Sequence, residues 1–406
     1  MAGNGEPPGD PAADPSRRQF FRIFGRQTVQ GAGNVLRAAD QLRRGSASAA
    51  TELLGLGLRD PQASAARLDE AVGAGRFTTD TASAGFRSPY LFDGTSLVML
   101  DQREPLGSGA TVECRAPSEV ATAIAAGVAG GGPVLAQIAA YGLVLALAQA
   151  TDRLRPARRA ALAAAANTLR QARPHARAVG WAVERMTQRW QLAIDLDAPA
   201  ALAELRAEAD QIAMQSATDH ARLGRHGADE LTRTGQESLD VLMHGDMGPL
   251  AGGLVGTGFA VVQSVVSVGR EVHVWLTEAA PTGEGTRLAA PQLAQADIPH
   301  TVVPDSAVAW LLDGRPLDAV LLRADLVCAN GDTAAPLGAL NVARLAQAAG
   351  VPVYACAPTL VVDAGLADGA AIQRSDRLPK FDVVPAGLFG GFMTEHGVVK
   401  PPFSNA

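Results

Sequence analysis

Between residues 239 and 363 the chain repeats one pattern. A short apolar run closes on a loop rich in Gly, Asp or Asn, and helical stretches lie between. Residues 240–243 lead into His244-Gly245-Asp246-Met247-Gly248. Residues 271–276 lead into Thr277-Glu278 and a Gly/Pro loop that ends in Arg287. Residues 319–322 lead into Arg323-Ala324-Asp325, then Cys328-Ala329-Asn330-Gly331-Asp332. Helical periodicity covers residues 255–268 and 337–349. Alternating strands and helices of these lengths predict a parallel sheet covered on both faces. Ligands of such sheets sit at the carboxyl ends of the strands, so these loops are where chemistry is expected.

The 406 residues suffice for two or three domains. A net charge of −6 argues against a nucleic-acid partner held by a general positive field. Cys114, Cys328 and Cys356 are odd in number and far apart, which suits a reducing cytoplasm and gives no zinc spacing. The longest apolar run, residues 133–149, is too short to span a bilayer and reads as a buried helix.

Taken in order, residues 1–16 are rich in Pro, Gly and Asp and are expected to be disordered. Residues 17–85 form an extension, opening with a basic amphipathic stretch from Arg17 to Arg44 that carries a single acid, Asp40. Ser16-Arg17-Arg18-Gln19-Phe20-Phe21 looks like a twin-arginine signal, but the following residues are polar. A helix covering its own protein, a protein-docking helix and a membrane-surface helix are the other readings. Residues 86–200 are expected to form a mainly helical domain with a small hairpin, Asp93-Gly94 in its turn. Its helices fall at 118–126, opened by Ser118 as cap, and at 133–150, 157–171 and 175–193. A long helix over 199–223 opens the domain spanning 201–406. Gly130-Gly131-Gly132-Pro133 is either a ligand-approaching turn or an ordinary helix connection.

Leu100-Asp101-Gln102-Arg103, Gly131 to Gly142, Ala172-Arg173-Pro174, His244 to Gly248, Gly256-Thr257-Gly258, Gly285-Thr286-Arg287-Leu288, Ala324-Asp325, Ala329 to Asp332 and Phe381-Asp382-Val383 occur in one order. By that order the chain resembles the methylthioribose-1-phosphate isomerases, the ribose-1,5-bisphosphate isomerases and the regulatory subunits of translation initiation factor two-B. The resemblance implies an α/β fold: a helical amino-terminal domain and a Rossmann-like carboxy-terminal domain, paired in homodimers. It implies exchange of a ribose 1-phosphate and a ribulose 1-phosphate by a cysteine and an aspartate, without metal or other cofactor. The aspartate falls on Asp325. The cysteine position is Gly245, which has neither thiol nor proton to offer.

The phosphate ligands that the resemblance implies are altered as well. Gly130 stands for one arginine, Glu284 for a glutamine, Ala335-Pro336 for an Asn-Lys pair and Leu326 for the arginine after the aspartate, while Arg173 is kept. Asp325 is therefore expected to act as acid/base or hydroxyl ligand, and His244 as a second proton carrier or a buried, hydrogen-bonded histidine. Arg173, Gly131, Gly132, Asp246, Glu284, Asn330 and Asp332 are the expected ligand contacts. With Glu278 the carboxylates predict an acidic cleft suited to a neutral or cationic ribosyl-like molecule. The rival expectation is a non-catalytic regulatory protein that docks a partner through its basic amino-terminal segment.

Overall fold

The computed structural model describes residues 89–372 and 381–401. The extension at 17–85, with its basic stretch, lies outside the described residues. The described chain opens with a three-stranded antiparallel sheet, β1 (Tyr90–Phe92), β2 (Leu97–Leu100) and β3 (Thr111–Cys114). Asp93 Oδ1 accepts from the amides of Thr95 and Ser96 and closes the β1–β2 turn.

Five helices follow: α1 (Pro117–Ala126), α2 (Gly132–Ala148), α3 (Arg155–Ala172), α4 (Arg177–Ala193) and α5 (Ala198–Leu231). The α1 start differs from the expected Ser118 cap. Glu119 reaches back to the amides of Arg115 and Ala116, so the helix begins at Pro117. Every residue of α2 from Gly132 to Leu147 is buried, because α1, α3, α4 and α5 all pack on it. A helix apolar all round is a core helix when neighbours surround it. No helix among the described residues is long and apolar enough to cross a membrane.

The second half builds a seven-stranded sheet. Strand β4 (Ser238–His244) leads through the short α6 (Pro249–Gly252) and α7 (Thr257–Ser267) to β5 (Glu271–Thr277). A π-helical turn at Gly285–Ala289 and α8 (Ala290–Gln295) precede β6 (His300–Val303), and α9 (Val308–Gly314) precedes β7 (Ala319–Arg323). Strands β8 (Leu326–Cys328) and β9 (Thr333–Pro336) turn off into a four-stranded sheet, and α10 (Ala339–Ala348) returns the chain to β10 (Val353–Cys356). The short β11 (Val362–Asp363) and β12 (Phe381–Val384) complete that smaller sheet, while β13 (Gly391–Thr394) and β14 (Gly397–Val399) finish the large one.

The order across the large sheet is β14-β13-β10-β7-β4-β5-β6, all parallel except β14. Alternate residues face opposite sides. Leu239, Val241 and Met243 join Phe259, Val262 and Val265 of α7, whereas Leu242, Val320 and Leu322 join Val342 and Ala346 of α10. From β4 the chain first runs outward through β5 and β6, then crosses to β7, β10 and β13 on the other side. The order reverses between β4 and β7, and a crevice at their carboxyl ends is the place such a sheet offers a ligand.

Candidate active site

Two loops meet at that reversal: His244-Gly245-Asp246 after β4 and Arg323-Ala324-Asp325 after β7. Arg323 occupies the centre. Its Nε donates to Asp325 Oδ1 at 2.9 Å, and Nη1 donates to Glu284 Oε2 at 3.2 Å and to the Asp246 carbonyl at 2.6 Å. Its side chain is 9% exposed, against 14% for Glu284 and 29% for Asp325, so the carboxylates face outward and the cation is covered. Burial alone would lower the Arg323 pKa, but Asp325 and Glu284 outweigh it and raise it. Arg323 was not among the residues expected from sequence. Its signal was there: it is the only charge in an otherwise apolar strand run.

Glu284 reaches this point through the turn at the end of β5. A Cβ on Gly285 would fall 1.8 Å from the Thr277 carbonyl, so only glycine lets the turn close this tightly. Glu284 then projects towards Gly245. A Cβ at Gly245 would lie 2.9 Å from Glu284 Oε1 and 3.3 Å from Pro336 Cγ, and the Gly245 φ of +80° disfavours any side chain. The side-chain space at position 245 therefore holds a carboxylate.

Asp246 is 1% exposed. Its Oδ1 accepts from the Gly248 amide and from Gln292 Nε2, while Oδ2 has no hydrogen-bond partner among the described residues. Burial, reinforced by Glu284 and opposed by those hydrogen bonds and Arg323, pushes its pKa up to about 6. His244 is fully buried: Nδ1 lies 2.7 Å from Thr277 Oγ1 and Nε2 lies 2.9 Å from the Leu337 carbonyl. With Nε2–H donating to that carbonyl, Nδ1 accepts from the threonine hydroxyl, and neither nitrogen is left for a substrate.

The glycine pair at the start of α2 packs against protein. A Cβ on Gly131 would strike the Ala251 carbonyl at 2.4 Å, and one on Gly132 would meet Val361 at 2.9 Å and Ala178 at 3.5 Å. These glycines let α2 approach α6 and α4, and they bring its amino end beside Asp325, whose carbonyl lies 3.9 Å from the Gly132 Cβ position. Gln102 and Gln137 fasten the same corner by donating to the Leu250 and Gly252 carbonyls. Arg173 lies at the turn into α4, half-buried, with no hydrogen bond or ion pair from its side chain among the described residues.

Asn330 and Asp332 form a clamp. Asn330 Oδ1 accepts from the Asp332 amide, and Asp332 accepts from the amides of Gly369 and Ala386, each at 2.9 Å. Burial would raise the Asp332 pKa, yet Asn330 and the two amides together hold it below the usual carboxylate value. Glu278 is exposed at the carboxyl end of β5. Asp332 is engaged by backbone and Glu284 and Asp325 share a guanidinium, so three carboxyl groups, with Asp246, face one cation.

The other expected phosphate positions offer no donor side chain: Leu326 packs with Cys328, Ala334 and Ile372, and Pro336 walls the Gly245 side. Arg287 is engaged by the carbonyls of Gln102, Glu104 and Thr282. Burial pushes the thiols of Cys328 and Cys356 up to about 12, so both are neutral packing residues. Away from the strand ends, an open cleft of about 230 Å³ between α1, α2 and α3 is lined largely by alanines, with Arg153 its one charge.

Comparison with known proteins agrees with this architecture. The chain is 33% identical over 327 residues to a methylthioribose-1-phosphate isomerase of Herpetosiphon aurantiacus, covering 75% of this chain and 91% of that one. It is 33% identical over 346 residues to one of Synechococcus sp., covering 79% and 97%. The crystal structure of 5-methylthioribose 1-phosphate isomerase from Pyrococcus horikoshii superimposes with a TM-score of 0.68 at 26% identity, covering 81% of this chain and 96% of that one. Subunit delta of translation initiation factor eIF-2B from A. fulgidus does so with a TM-score of 0.64 at 25% identity, covering 78% and 97%. The model of the Initiation factor 2 subunit family matches residues 129–401. The chain belongs to the Initiation factor 2 subunit family, the fold shared by these isomerases and initiation-factor subunits.

Proposed function

We propose that the crevice between β4 and β7 binds a ribosyl-like small molecule and that Asp325 is its principal contact. One observation carries this reading: Arg323 holds the Asp325 and Glu284 carboxylates together at the sheet's reversal point, with both reachable from outside. Carboxylates accept hydrogen bonds from sugar hydroxyls, and a site with three carboxyl groups and one guanidinium repels a phosphate dianion. Arg173 is the one cation of the expected set left to meet a partial negative charge. Asp246 adds a buried acceptor. We assign His244, Asn330 and Asp332 to holding the loops, and Gly131 and Gly132 to bringing α2 close. Aldose–ketose isomerisation here draws on carboxylates in place of the thiol missing at Gly245. A homodimer is part of the same proposal, and light scattering of the purified chain at twice the monomer mass is the expected result.

The test is thermal unfolding of the full chain with D-ribose, adenosine and ribose 1-phosphate. A ligand at about 100 times its Kd stabilises a protein by about 2.7 kcal/mol. Stabilisation by the neutral compounds is expected, and its absence contradicts the reading. A second reading, binding without catalysis, is favoured by Gly245 together with the fully engaged ring of His244. Saturable binding without turnover of any of the three compounds is its expected signature. Its partner-docking element, residues 17–44, is tested by deleting residues 1–45, after which loss of an associated protein or membrane fraction is expected.

A further inference from the structure

We infer that Glu284 carries the proton between C1 and C2 of an aldopentose with a free anomeric carbon, while Asp325 relays protons among its hydroxyls and the buried Arg323 charge behind both carboxylates offsets that of the enediolate. This rests on the reading of the crevice as a ribosyl site. Three features of the geometry support it. Glu284 Oε1 lies 2.9 Å from the Cβ position of Gly245, so the carboxylate stands where a side chain at the end of β4 would act. The turn that presents it is fixed, since Gly285 admits no Cβ beside the Thr277 carbonyl and the Gly285 amide donates to the Glu278 carbonyl at 3.1 Å. One buried guanidinium contacts both carboxylates, so the two bases and the cation form a single preorganised unit.

The chemistry balances without a co-reactant. In the open-chain aldose, Glu284 removes the C2 hydrogen as a proton. The C–H electron pair forms the C1–C2 double bond, and the carbonyl pair moves onto O1, where the Arg323 charge stabilises it. Asp325 accepts the O2 proton and passes it to O1. Glu284 returns its proton to C1 as O2 becomes the carbonyl. C1 is reduced and C2 oxidised within one molecule. The substrate class follows from the same residues. Opening to an aldehyde needs an unphosphorylated C1, and the donors of Arg323 and Arg287 are directed at protein oxygens, with Pro336 closing the remaining wall.

The experiment follows the full chain with D-ribose in D₂O by proton NMR, with ribose binding measured in parallel by calorimetry. The wild-type chain is expected to lose the C2–H signal and form ribulose deuterated at C1. Glu284→Gln is expected to slow that exchange by roughly 10²–10⁴-fold at saturating ribose. Exchange at the wild-type rate in Glu284→Gln overturns the assignment. So does a wild-type chain that binds ribose and exchanges nothing, which leaves the ribosyl reading of the crevice standing. A wild-type chain that binds no ribose removes both. Should Glu284→Gln lack a cooperative thermal transition, Glu284→Asp replaces it. Displacing the carboxylate by one methylene is expected to slow exchange by roughly 10²-fold, and an unchanged rate overturns the proposal.

Discussion

Asp325 and Asp332 lie seven residues apart, each in a loop that follows a strand, yet their surroundings are opposite. The Asp332 carboxylate accepts from two backbone amides, its own amide donates to Asn330 Oδ1, and it joins three loops. Asp325 faces a buried guanidinium on one side and solvent on the other. A carboxylate saturated by amides builds structure. One paired to a covered cation, with lone pairs still reachable, is equipped to meet a ligand. Acid residues at strand ends therefore have to be sorted by their partners, since their positions are equivalent.

Substitutions that exchange these environments sharpen the contrast. The largest effect is expected from Arg323→Leu, which strands Glu284 and Asp325 and should cost about 3–5 kcal/mol in denaturant unfolding. Asp332→Ala frees two amides bonded to a carboxylate and should cost about 2–4 kcal/mol, with ribosyl binding by the folded fraction unchanged. Gly245→Ala forces a side chain to φ +80° against Glu284 and should cost about 1–3 kcal/mol by the same assay.

Asp246→Asn is expected to work in the opposite direction. The folded pKa of Asp246, about 6, lies above that of an unfolded aspartate. Between about pH 4 and pH 6 the folded state holds the proton that the unfolded state has lost, so this residue's contribution to stability falls as pH rises through that window and is then constant. The Asn variant removes that slope and should be more stable by up to about 3 kcal/mol at pH 7, with little gain at pH 4. Equal stability of the two chains at both pH values would show that Asp246 is not the buried acid described.

Much of the fold was legible because the central strands are apolar on both faces, as residues 319–322 are, and stand out from the polar loops that end them. The missed strands were short. β6, β10 and β13 have four residues each, too few to show a period, and β6 begins with His300-Thr301. Asp325, Glu284 and Gly245 could be named from the sequence, whereas the Arg323 pairing that joins Asp325 to Glu284 could not. That pairing depends on the π-helical turn after Glu284, which no local pattern announces. The clamp role of Asp332 was equally hidden, since the amides it holds lie 37 and 54 residues away. The Asn330-Gly331-Asp332 sequence announced a turn without saying what it would fasten.

The role of the crevice rests most directly on what Asp325 binds. Calorimetric titration of the full chain and of Asp325→Asn with D-ribose and with ribose 1-phosphate measures it. The expected result is saturable binding of ribose by the wild-type chain, weaker binding of the phosphate, and loss of ribose binding by at least about tenfold in the variant, which corresponds to about 1.4 kcal/mol. Tighter binding of ribose 1-phosphate, or ribose binding that Asp325→Asn leaves untouched, would contradict it.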